Sequence, residues 1–492
     1  MPVSCLSVLK LFLHANYQLV AVAPDVPIVS QRQAYLEKPS ESPSSAAMPS
    51  AISKAQDQDK PEFLCSRPRK AEDPVPVTLL HPIFAEFVDD CRDLKPTHHD
   101  YRFVRELSEK MCIFPPDENA RMDVFRTQLA YFYPHVTLYA AAVGAKSYRT
   151  DCHLIIGGKF VAVIVEGKKE IGGSGAEPFV EAMWYQRQFM KILNNTEFDI
   201  AERRSVFPCF HIIVFGTCIS IVGSVLTRKV QCNILGPIIP LFWHSMDDSM
   251  QSTAARMFAA LNLAITKLAK LYSAQIPLLT PQDSPLDCPY PQDYDNGTQY
   301  FSYYHSQPLR HHRIFFEETS IGEKICIKYV KRYLPEAHQF CAKEGHAPRL
   351  IAYESLPGGW NMVVMNVLPI HNDLSSRSTS AYQQFSQIPA AECGPLEKAV
   401  TDFIHQFHKK DFIHGDLRGT NLFLLGDNFM LLDFDWSGRI GNTHYPMHVN
   451  CKGIHRPFDA RDGNEIKVVH DLEMLRHVFH PEEVAMGAPC GW

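Results

Sequence analysis

Apolar positions change their spacing along the first large region of the chain. From Leu79 to Leu107 they recur at i, i+3 and i+4, which predicts amphipathic helices. From about 151 to 243 they form the short runs CHLII, FVAVIVE, CFHIIVFG and CISIVGSVL, which predict strands. Further helices are predicted at about 176–192 and 251–272. This order predicts an α/β domain spanning residues 78–272.

A second pattern covers residues 299–492. The sequence EKICIKYV predicts a buried strand, and PEAHQFCAKEG predicts the helix after it. Residues 348–369 predict a hairpin that turns at Pro357-Gly358-Gly359. A helix at 395–410 then leads into short apolar runs that predict strands between Phe412 and Leu432. Mixed helices and hairpins of this kind predict an α+β domain.

Composition sets the remaining boundaries. Residues 38–77 are rich in Pro, Ser, Ala and charge, a composition that buries little apolar area and favours disorder. Residues 1–24 are apolar but interrupted by polar side chains, and no charged segment precedes them, so a secretion signal is not favoured. We therefore expect 1–77 to be poorly specified and largely disordered. Residues 273–298 contain five prolines and are expected to be a linker.

Charge and cysteine usage narrow the class of protein. A net charge of -6 and a pI near 6.4 provide no general attraction to nucleic acid or anionic membranes. The 14 cysteines are scattered without a CxxC pair, which favours reduced thiols in an intracellular, cytoplasmic or nuclear protein. No uninterrupted apolar run of about 18 residues predicts a membrane span. The oligomeric state is left open by these features.

The strongest chemical signal is the stretch HGDLRGTN at 414–421, followed by LLDFD at 431–435. Its spacing places Asp416, Asn421 and Asp433 on a loop and a strand end between short apolar strands. A carboxylate that orients an attacking hydroxyl, and an amide and carboxylate that hold Mg²⁺, are the groups that phosphoryl transfer requires. The sequence therefore predicts a phosphotransfer centre.

Residues 324–435 resemble the protein-kinase-like superfamily, and within it the HGDLRxxN…DFDW kinase-like proteins common in mushroom-forming fungi. The resemblance implies a bilobal kinase-like fold that uses ATP and Mg²⁺. Lys328 corresponds to the phosphate-binding lysine, and Glu336 to the glutamate that pairs with it. Met365 to Leu368 correspond to the hinge that binds adenine.

In the same resemblance Asp416 is the base or hydroxyl-positioning residue, and Asn421 and Asp433 are Mg²⁺ ligands. Asp435 replaces the usual glycine of Asp-Phe-Gly, and it is either a second metal ligand or a polar turn residue. Arg418 is expected to reach the γ-phosphate or to pair with a carboxylate.

Three departures from the kinase pattern concern regulation and activity. Residues 299–323 contain only Gly322, so no glycine-rich loop is recognisable. Gly415 stands where an arginine usually precedes the catalytic aspartate, which argues against control by activation-loop phosphorylation. No Ala-Pro-Glu follows Asp433, although Asp471 in HDLEMLRHVF resembles the helix that anchors a kinase C-lobe.

Substrate and activity remain open between alternatives. A protein hydroxyl is the favoured acceptor, whereas HGDL with Asp-Phe-Asp also resembles aminoglycoside and choline phosphotransferases. A catalytically inactive pseudokinase that serves as a binding module is the third possibility. Fold alone does not choose among these.

A second constellation lies at Asp151, Glu166 and Lys168. Glu166 and Lys168 are two apart on a predicted strand, so both side chains project to one face. Asp151 precedes the neighbouring strand and is placed to join Glu166 in holding Mg²⁺, which activates water for phosphodiester attack.

This arrangement resembles the PD-(D/E)xK nuclease superfamily, so 78–272 is interpreted as a restriction-nuclease-like three-layer domain. The resemblance gives Lys168 the role of steadying the water or the leaving charge, and makes nucleic acid a possible partner. Gln186 on the following helix suits the same superfamily, and Glu106 or Glu109 is expected to supply a further ligand. The order of a nuclease-like and a kinase-like domain is similar to that of Crinkler-type proteins.

Overall fold

The computed structural model describes residues 28–56, 59–68, 73–140, 142–143, 148–172, 175–194, 205–274, 286–295, 297–303, 313–369, 382–388, 390–452 and 454–481. Contacts divide the chain into two compact units. The boundary falls between Gln292 and Asp293, with the turn Pro357–Gly359 grouped with the first unit. Among the described residues, no helix combines the length and the apolar character needed to cross a membrane.

The first unit contains helices around one main sheet. Its helices are α1 (Ile28–Glu37), α2 (Pro43–Ala46), α3 (Pro49–Ala55), α4 (Val77–Leu80), α5 (Pro82–Asp93), α6 (His98–Met111), α7 (Glu118–Phe132), α8 (Pro178–Asn194) and α9 (Asp248–Ser273). Its strands are β1 (Ala142–Val143), β2 (Tyr148–Arg149), β3 (Cys152–Ile156), β4 (Phe160–Lys168), β5 (Cys209–Phe215), β6 (Cys218–Leu226), β7 (Val230–Ile234) and β8 (Ile239–Pro240). The four predicted apolar runs are thereby confirmed as strands, and the helices predicted at 176–192 and 251–272 are confirmed as α8 and α9.

The main sheet has the order β3-β4-β5-β6-β7, with β8 paired to β6. Strands β3 and β4 form an antiparallel hairpin in which Cys152 pairs with Val165. Strand β5 is parallel to β4, a pairing that needs a crossover, and α8 supplies it. Strand β4 is buried from Phe160 to Gly167, because both faces of the sheet are covered.

The expectation of disorder in residues 38–77 is wrong for their described part. Helices α2 and α3 lie there, and Phe63 and Leu64 are buried. The Leu64 amide donates to the Val230 carbonyl at 3.1 Å, and the Cys232 amide donates to the Leu64 carbonyl at 3.0 Å. A short polar segment is ordered here by adding a bridge to the edge of β7, a long-range contact that composition does not reveal.

The predicted linker at 273–298 also differs from the structure at its described ends. The Tyr290 amide donates to the Leu79 carbonyl of the first unit at 2.7 Å. Residues from Asp293 onward belong to the second unit, where Asp293–Tyr294 pairs with Gln299–Tyr300.

The second unit begins with an antiparallel sheet and continues into helices and short hairpins. Its strands are β9 (Asp293–Tyr294), β10 (Gln299–Tyr300), β11 (Ile314–Glu318), β12 (Lys324–Val330), β13 (Leu350–Leu356), β14 (Trp360–Asn366), β15 (Gln383–Gln384), β16 (Phe412–Ile413), β17 (Leu422–Leu425), β18 (Asn428–Leu431) and β19 (Gly438–Arg439). Its helices are α10 (Pro335–Lys343), α11 (Ala390–Lys409) and α12 (Val468–Phe479). The sheet order is β11-β12-β14-β13, and smaller sheets pair β15-β17-β18 and β16-β19.

The core of the second unit lies between α11, α12 and the β17–β18 hairpin. Buried apolar side chains from these elements form one cluster, which includes Phe403, Phe407, Leu422, Phe429 and Leu475. This packing fixes the loop between β16 and β17, which carries the HGDLRGTN stretch.

Candidate functional site

The HGDLRGTN loop is anchored by the buried carboxylate of Asp471. Asp471 on α12 accepts hydrogen bonds from the backbone amides of His414 and Gly415 at 2.9 and 2.8 Å. Gly415 has a φ of +80°, and a Cβ there would lie 2.8 Å from the Cδ1 atom of Ile466 and 3.3 Å from the Cβ atom of Trp436. Both the backbone conformation and the space therefore favour glycine at this position.

Asp416 lies in the middle of this loop with a carboxylate that is 5% exposed. The Asn421 amide group donates to its Oδ2 atom at 2.9 Å and to its backbone carbonyl at 3.0 Å. Arg418 pairs with Oδ2 at 3.1 Å, and Arg456 pairs with Oδ1 at 2.7 Å. The carboxylate thus accepts a hydrogen bond from one amide group and lies within ion-pair distance of two guanidinium groups.

Lys328 on β12 reaches two carboxylates that lie at the end of β18. Its Nζ atom is 2.5 Å from Asp433 and 2.6 Å from Asp435. Asp433 adopts the left-handed conformation, with φ 66° and ψ 64°, and a single turn of 3-10 helix, Phe434–Trp436, follows it. Both aspartates are presented to the same cation by this tight turn.

Burial and the charges in this group shift the pKa values of the two carboxyl groups in opposite directions. Burial alone would raise the pKa of Asp433, but the Lys328 ammonium outweighs it and lowers the pKa to about 2. Burial raises the pKa of Asp435 to about 7, because Lys328 offsets only part of the cost and Asp433 adds repulsion. Burial opposes the charge of Lys328, yet both aspartates raise its pKa above the ordinary value.

The predicted pairing of Lys328 with Glu336 is wrong. Glu336 is exposed in the first turn of α10, and Lys328 pairs with the two aspartates instead. The buried side of α10 presents Ala337, His338 and Cys341. His338 stacks on Phe434 with ring centroids 4.7 Å apart, so an aromatic contact rather than an ion pair joins the helix to the Asp433 turn.

The predicted hinge residues lie in different surroundings. Leu368 packs against a cluster of Tyr382, Phe423 and Leu432, directly beside the strand end that carries Asp433. Met365 instead packs against Ile314 and Cys326 in the sheet. Leu368 thus packs beside the residue that precedes Asp433, whereas Met365 lies on the strand paired with the one that carries Lys328. Adenine binding by either residue stays a prediction.

The structure thus brings Lys328 to Asp433, and Asn421 to Asp416. The donor set fits Mg²⁺, which uses one or two carboxylates together with phosphate oxygens. Asp433 and Asp435 supply carboxylates that are 34% and 31% exposed. The Asn421 nitrogen is engaged with Asp416, so its amide oxygen is the atom left to meet a cation.

The first unit brings Asp151, Glu166 and Lys168 together at one end of β4. Asp151 accepts a hydrogen bond from the Gly167 amide at 2.6 Å. Glu166 is 2% exposed, and its Oε1 atom is buried without a hydrogen-bond partner. Lys168 pairs with Glu181 of α8 at 3.1 Å and with Glu118 of α7 at 3.7 Å.

The pKa values of the carboxyl groups in this cluster are shifted from their ordinary values. Burial raises the pKa of Glu166 well above its ordinary value, and the neighbouring charges of Asp151 and Glu181 add to the shift. Burial also raises the pKa of Asp151, Glu118 and Glu181. Burial alone would lower the pKa of Lys168, but Glu181 and Glu118 outweigh it and raise the pKa. The group carries more acid than Lys168 can neutralise.

Other residues proposed for this site from the sequence are placed elsewhere. Glu106 pairs with Arg102 at 3.3 Å on α6, and Glu109 is exposed on the same helix. Gln186 is fully buried, and its amide oxygen meets His211 and Ser224. Glu118 and Glu181 were missed because neither stands near the Glu-x-Lys motif in sequence. Within the described ranges, no group of three or more His, Cys, Asp or Glu side chains has the arrangement of a complete metal site.

Solved structures that are similar to part of this chain include two kinases. The kinase PK-1 of Cydia pomonella granulovirus shares 13% identity over 34% of this chain and 64% of its own, with a TM-score of 0.27. Vaccinia related kinase 3 shares 13% identity over 38% of this chain and 65% of its own, with a TM-score of 0.27. The match spans less than two thirds of either kinase, and a likeness this low carries no argument about activity.

No protein-family model matches this chain, and no curated protein matches it. The resemblances to fungal kinase-like proteins, to PD-(D/E)xK nucleases and to Crinkler-type proteins stay predictions.

Proposed function

We propose that the second unit transfers the γ-phosphate of ATP, with Mg²⁺, to a hydroxyl group of a protein substrate. The observation that carries this proposal is the Lys328 ammonium placed between Asp433 and Asp435, at 2.5 and 2.6 Å. Phosphoryl transfer relies mainly on positioning and charge stabilisation. A cation beside two partly exposed carboxylates is suited to binding a metal–phosphate complex, because the metal satisfies the acids and the phosphate satisfies the lysine.

Each residue of the site has a defined role in this proposal. Bound Mg²⁺–ATP supplies the transferable phosphate and the cation that screens its charge. Asp433 and Asn421 would hold the metal, and Lys328 would bind phosphate oxygens. Asp416 would accept a hydrogen bond from the acceptor hydroxyl and orient its oxygen. Because Asn421, Arg418 and Arg456 hold this carboxylate in place, we assign it a positioning role.

A protein acceptor is favoured by the surface beside Asp416. The segment between β19 and α12 carries Arg456, which touches Asp416, and presents Phe458 and Met447 with 85% and 69% exposure. Contiguous exposed apolar surface marks protein interaction sites, and we propose that these side chains contribute to such a surface. A small acceptor such as choline would have no use for them.

The test is transfer of label from γ-labelled Mg²⁺–ATP by the full chain. Casein and histone serve as protein acceptors, and choline and kanamycin as small ones. We expect labelling of protein that is lost in Asp433→Ala and in Asp416→Ala. Asp427→Ala is the matched control, since Asp427 is exposed in the β17–β18 turn.

Each alternative has its own outcome. Transfer to choline or kanamycin alone would replace the protein substrate with a small molecule. Full activity in either site variant would show that the site is wrongly assigned. Mg²⁺–ATP binding without any transfer would indicate a binding module.

The first unit supports a second candidate function, metal-dependent cleavage of nucleic acid. The specific observation is the buried Glu166 carboxylate, whose Oε1 atom has no partner and which lies among Asp151, Glu118 and Glu181. A buried unpaired oxygen is costly unless a cation or proton satisfies it. A divalent cation held there by Glu166 and Asp151 would activate water for phosphodiester attack, with Lys168 close to the reacting group.

This second function is tested by incubating the full chain with single- and double-stranded DNA and Mg²⁺ or Mn²⁺. Cleavage should be lost in Glu166→Gln and retained in Glu106→Gln, whose carboxylate lies on α6 and pairs with Arg102. Cleavage that persists in Glu166→Gln would exclude this site. Glu166→Gln should leave phosphotransfer unchanged.

A further inference from the structure

Arg456 is a buried arginine that joins the segment after β19 to the HGDLRGTN loop. Its side chain is 2% exposed, and its Nη1 atom lies 2.7 Å from the Oδ1 atom of Asp416. The guanidinium lies 4.7 Å above the ring of Trp436, and its Nε atom donates to the Asn450 carbonyl at 3.3 Å. Burying an arginine is costly unless it is paired in this way, so its position is specified by the fold.

The segment that delivers Arg456 is itself ordered. The Tyr445 amide donates to the Asn464 carbonyl, and the Ile466 amide to the Thr443 carbonyl, each at 2.8 Å. The Tyr445 ring is buried, and its hydroxyl lies 3.0 Å from a ring nitrogen of His470 at the start of α12. Residues 440–452 and 454–467 therefore present a folded platform to the loop.

This arrangement supplies a cation where the sequence lacks one. In the kinase resemblance Gly415 occupies the position of the arginine that would precede Asp416, and its φ of +80° with the close Ile466 and Trp436 contacts disfavours a side chain there. Arg456 follows Asp416 in the chain by 40 residues, whereas position 415 directly precedes it. A guanidinium fixed on the segment can order the segment against the loop without an added phosphate.

We propose that Arg456 is a positioning residue, which holds the Asp416 carboxylate for the acceptor hydroxyl and attaches residues 440–452 and 454–467 to the HGDLRGTN loop. The part about the acceptor rests on the phosphotransfer function proposed above. The part about the segment rests on the contacts alone. Because the cation is part of the chain, the site is set without activation-loop phosphorylation.

The experiment compares Arg456→Met, Arg456→Lys and Arg461→Met in the full chain. Arg461 is the matched control, because it lies on the same segment and its guanidinium contacts the Pro457 and Ala460 carbonyls and the Phe458 ring. Phosphotransfer from Mg²⁺–ATP gives kcat and the KM for ATP. Amide hydrogen exchange of residues 414–421 and 440–452 reports the attachment of the segment whether or not transfer is observed.

For Arg456→Met we expect kcat to fall by roughly 10- to 100-fold with the KM for ATP changed by less than about threefold, because Asp416 meets the acceptor rather than the nucleotide. Arg456→Lys should recover part of the loss, since it keeps the charge without the planar fork. Exchange in both stretches should rise in Arg456→Met and stay at the wild-type level in Arg461→Met.

Several results would overturn the assignment. A rise in kcat for Arg456→Met would mean that Arg456 blocks Asp416. An equal loss in Arg461→Met, or a KM for ATP that rises in step with the fall in kcat, would indicate a general structural effect. Unchanged exchange in Arg456→Met would refute the attachment. A wild-type chain without transfer would refute the phosphotransfer function, and exchange alone would then decide the role of Arg456.

Discussion

Asp435 carries a charge that the fold tolerates poorly, so replacing it with asparagine should stabilise the second unit at alkaline pH. The pKa of this carboxyl is raised from 3.8 to about 7, mainly by burial. Because the folded-state pKa lies above the unfolded one, the group favours folding while it is protonated. That contribution is fully present below pH 3.8 and is lost as the pH rises through about 7. Asp435→Asn removes this pH dependence and keeps the shape of the side chain.

The size of the effect follows from the shift. A change of about three units, at about 1.4 kcal/mol each, sets an upper limit of about 4 kcal/mol. The shift already includes the ion pair with Lys328, and because the side chain is 31% exposed, solvent screening lowers this limit. We expect Asp435→Asn to be more stable than wild type by about 1–2 kcal/mol at pH 8, and about equally stable at pH 5. This corresponds to a melting temperature higher by roughly 2–6 °C at pH 8.

The assay is differential scanning calorimetry of the full chain and of Asp435→Asn at pH 5, 6, 7 and 8, with EDTA present. The difference between the two proteins should grow with pH and level off above pH 8. A difference that is independent of pH, or that is larger at pH 5, would refute the reasoning from burial.

The same pair of proteins decides the role of Asp435 that the sequence leaves open. If Asp435 is a second metal ligand, Mg²⁺–ATP at saturating concentration should stabilise wild type more than Asp435→Asn. Equal stabilisation would assign Asp435 to the turn alone.

Three further variants test other parts of the structure by their thermal unfolding. Asp471→Asn should destabilise the second unit by about 3 kcal/mol. A fully buried carboxylate that accepts hydrogen bonds from two backbone amides is replaced by a group that also donates. A loss of stability below about 1 kcal/mol would argue against this anchor. Gly415→Ala should cost about 1–3 kcal/mol, because a Cβ would lie 2.8 Å from Ile466 at a φ of +80°, and an unchanged melting temperature would contradict that geometry. Glu166→Gln should be more stable than wild type at pH 8 and about equally stable near pH 4. Burial raises the pKa of Glu166, so its charged form opposes folding as the pH rises. Greater stability of the wild type at pH 8 without metal would contradict this sign.

The sequence identified the strands well where the apolar runs were continuous. Strands β3 to β6 were predicted from their runs because each is buried on both faces. Helix α7 was missed, although Met122, Phe125, Leu129 and Phe132 recur at helical spacing and are buried. The signal was present, but it was diluted by the polar residues between them. Segment 38–77 was misjudged because its order comes from a bridge to β7, which no local composition encodes.

In the candidate sites too, the sequence predicts contacts between residues that are close in the chain and misses those between distant residues. The spacing of Asp416, Asn421 and Asp433 is local to one loop and one hairpin, so the sequence alone was enough to place them together. The partner of Lys328 is separated from it by 105 residues, and sequence reasoning chose Glu336, which is exposed. Arg456 and Glu181 carry no motif at all.

The chain by itself determined which segments are helix or strand and which short motifs carry chemistry, because those properties depend on neighbours a few residues apart. Only the tertiary structure decided which charges meet. Asp433 and Asp435 reach Lys328, and Arg456 reaches Asp416, because the packing of the turn after β18 and of residues 454–467 brings distant residues within 3 Å. In a buried site the choice among equally charged candidates is made by geometry and desolvation, which the order of residues does not express.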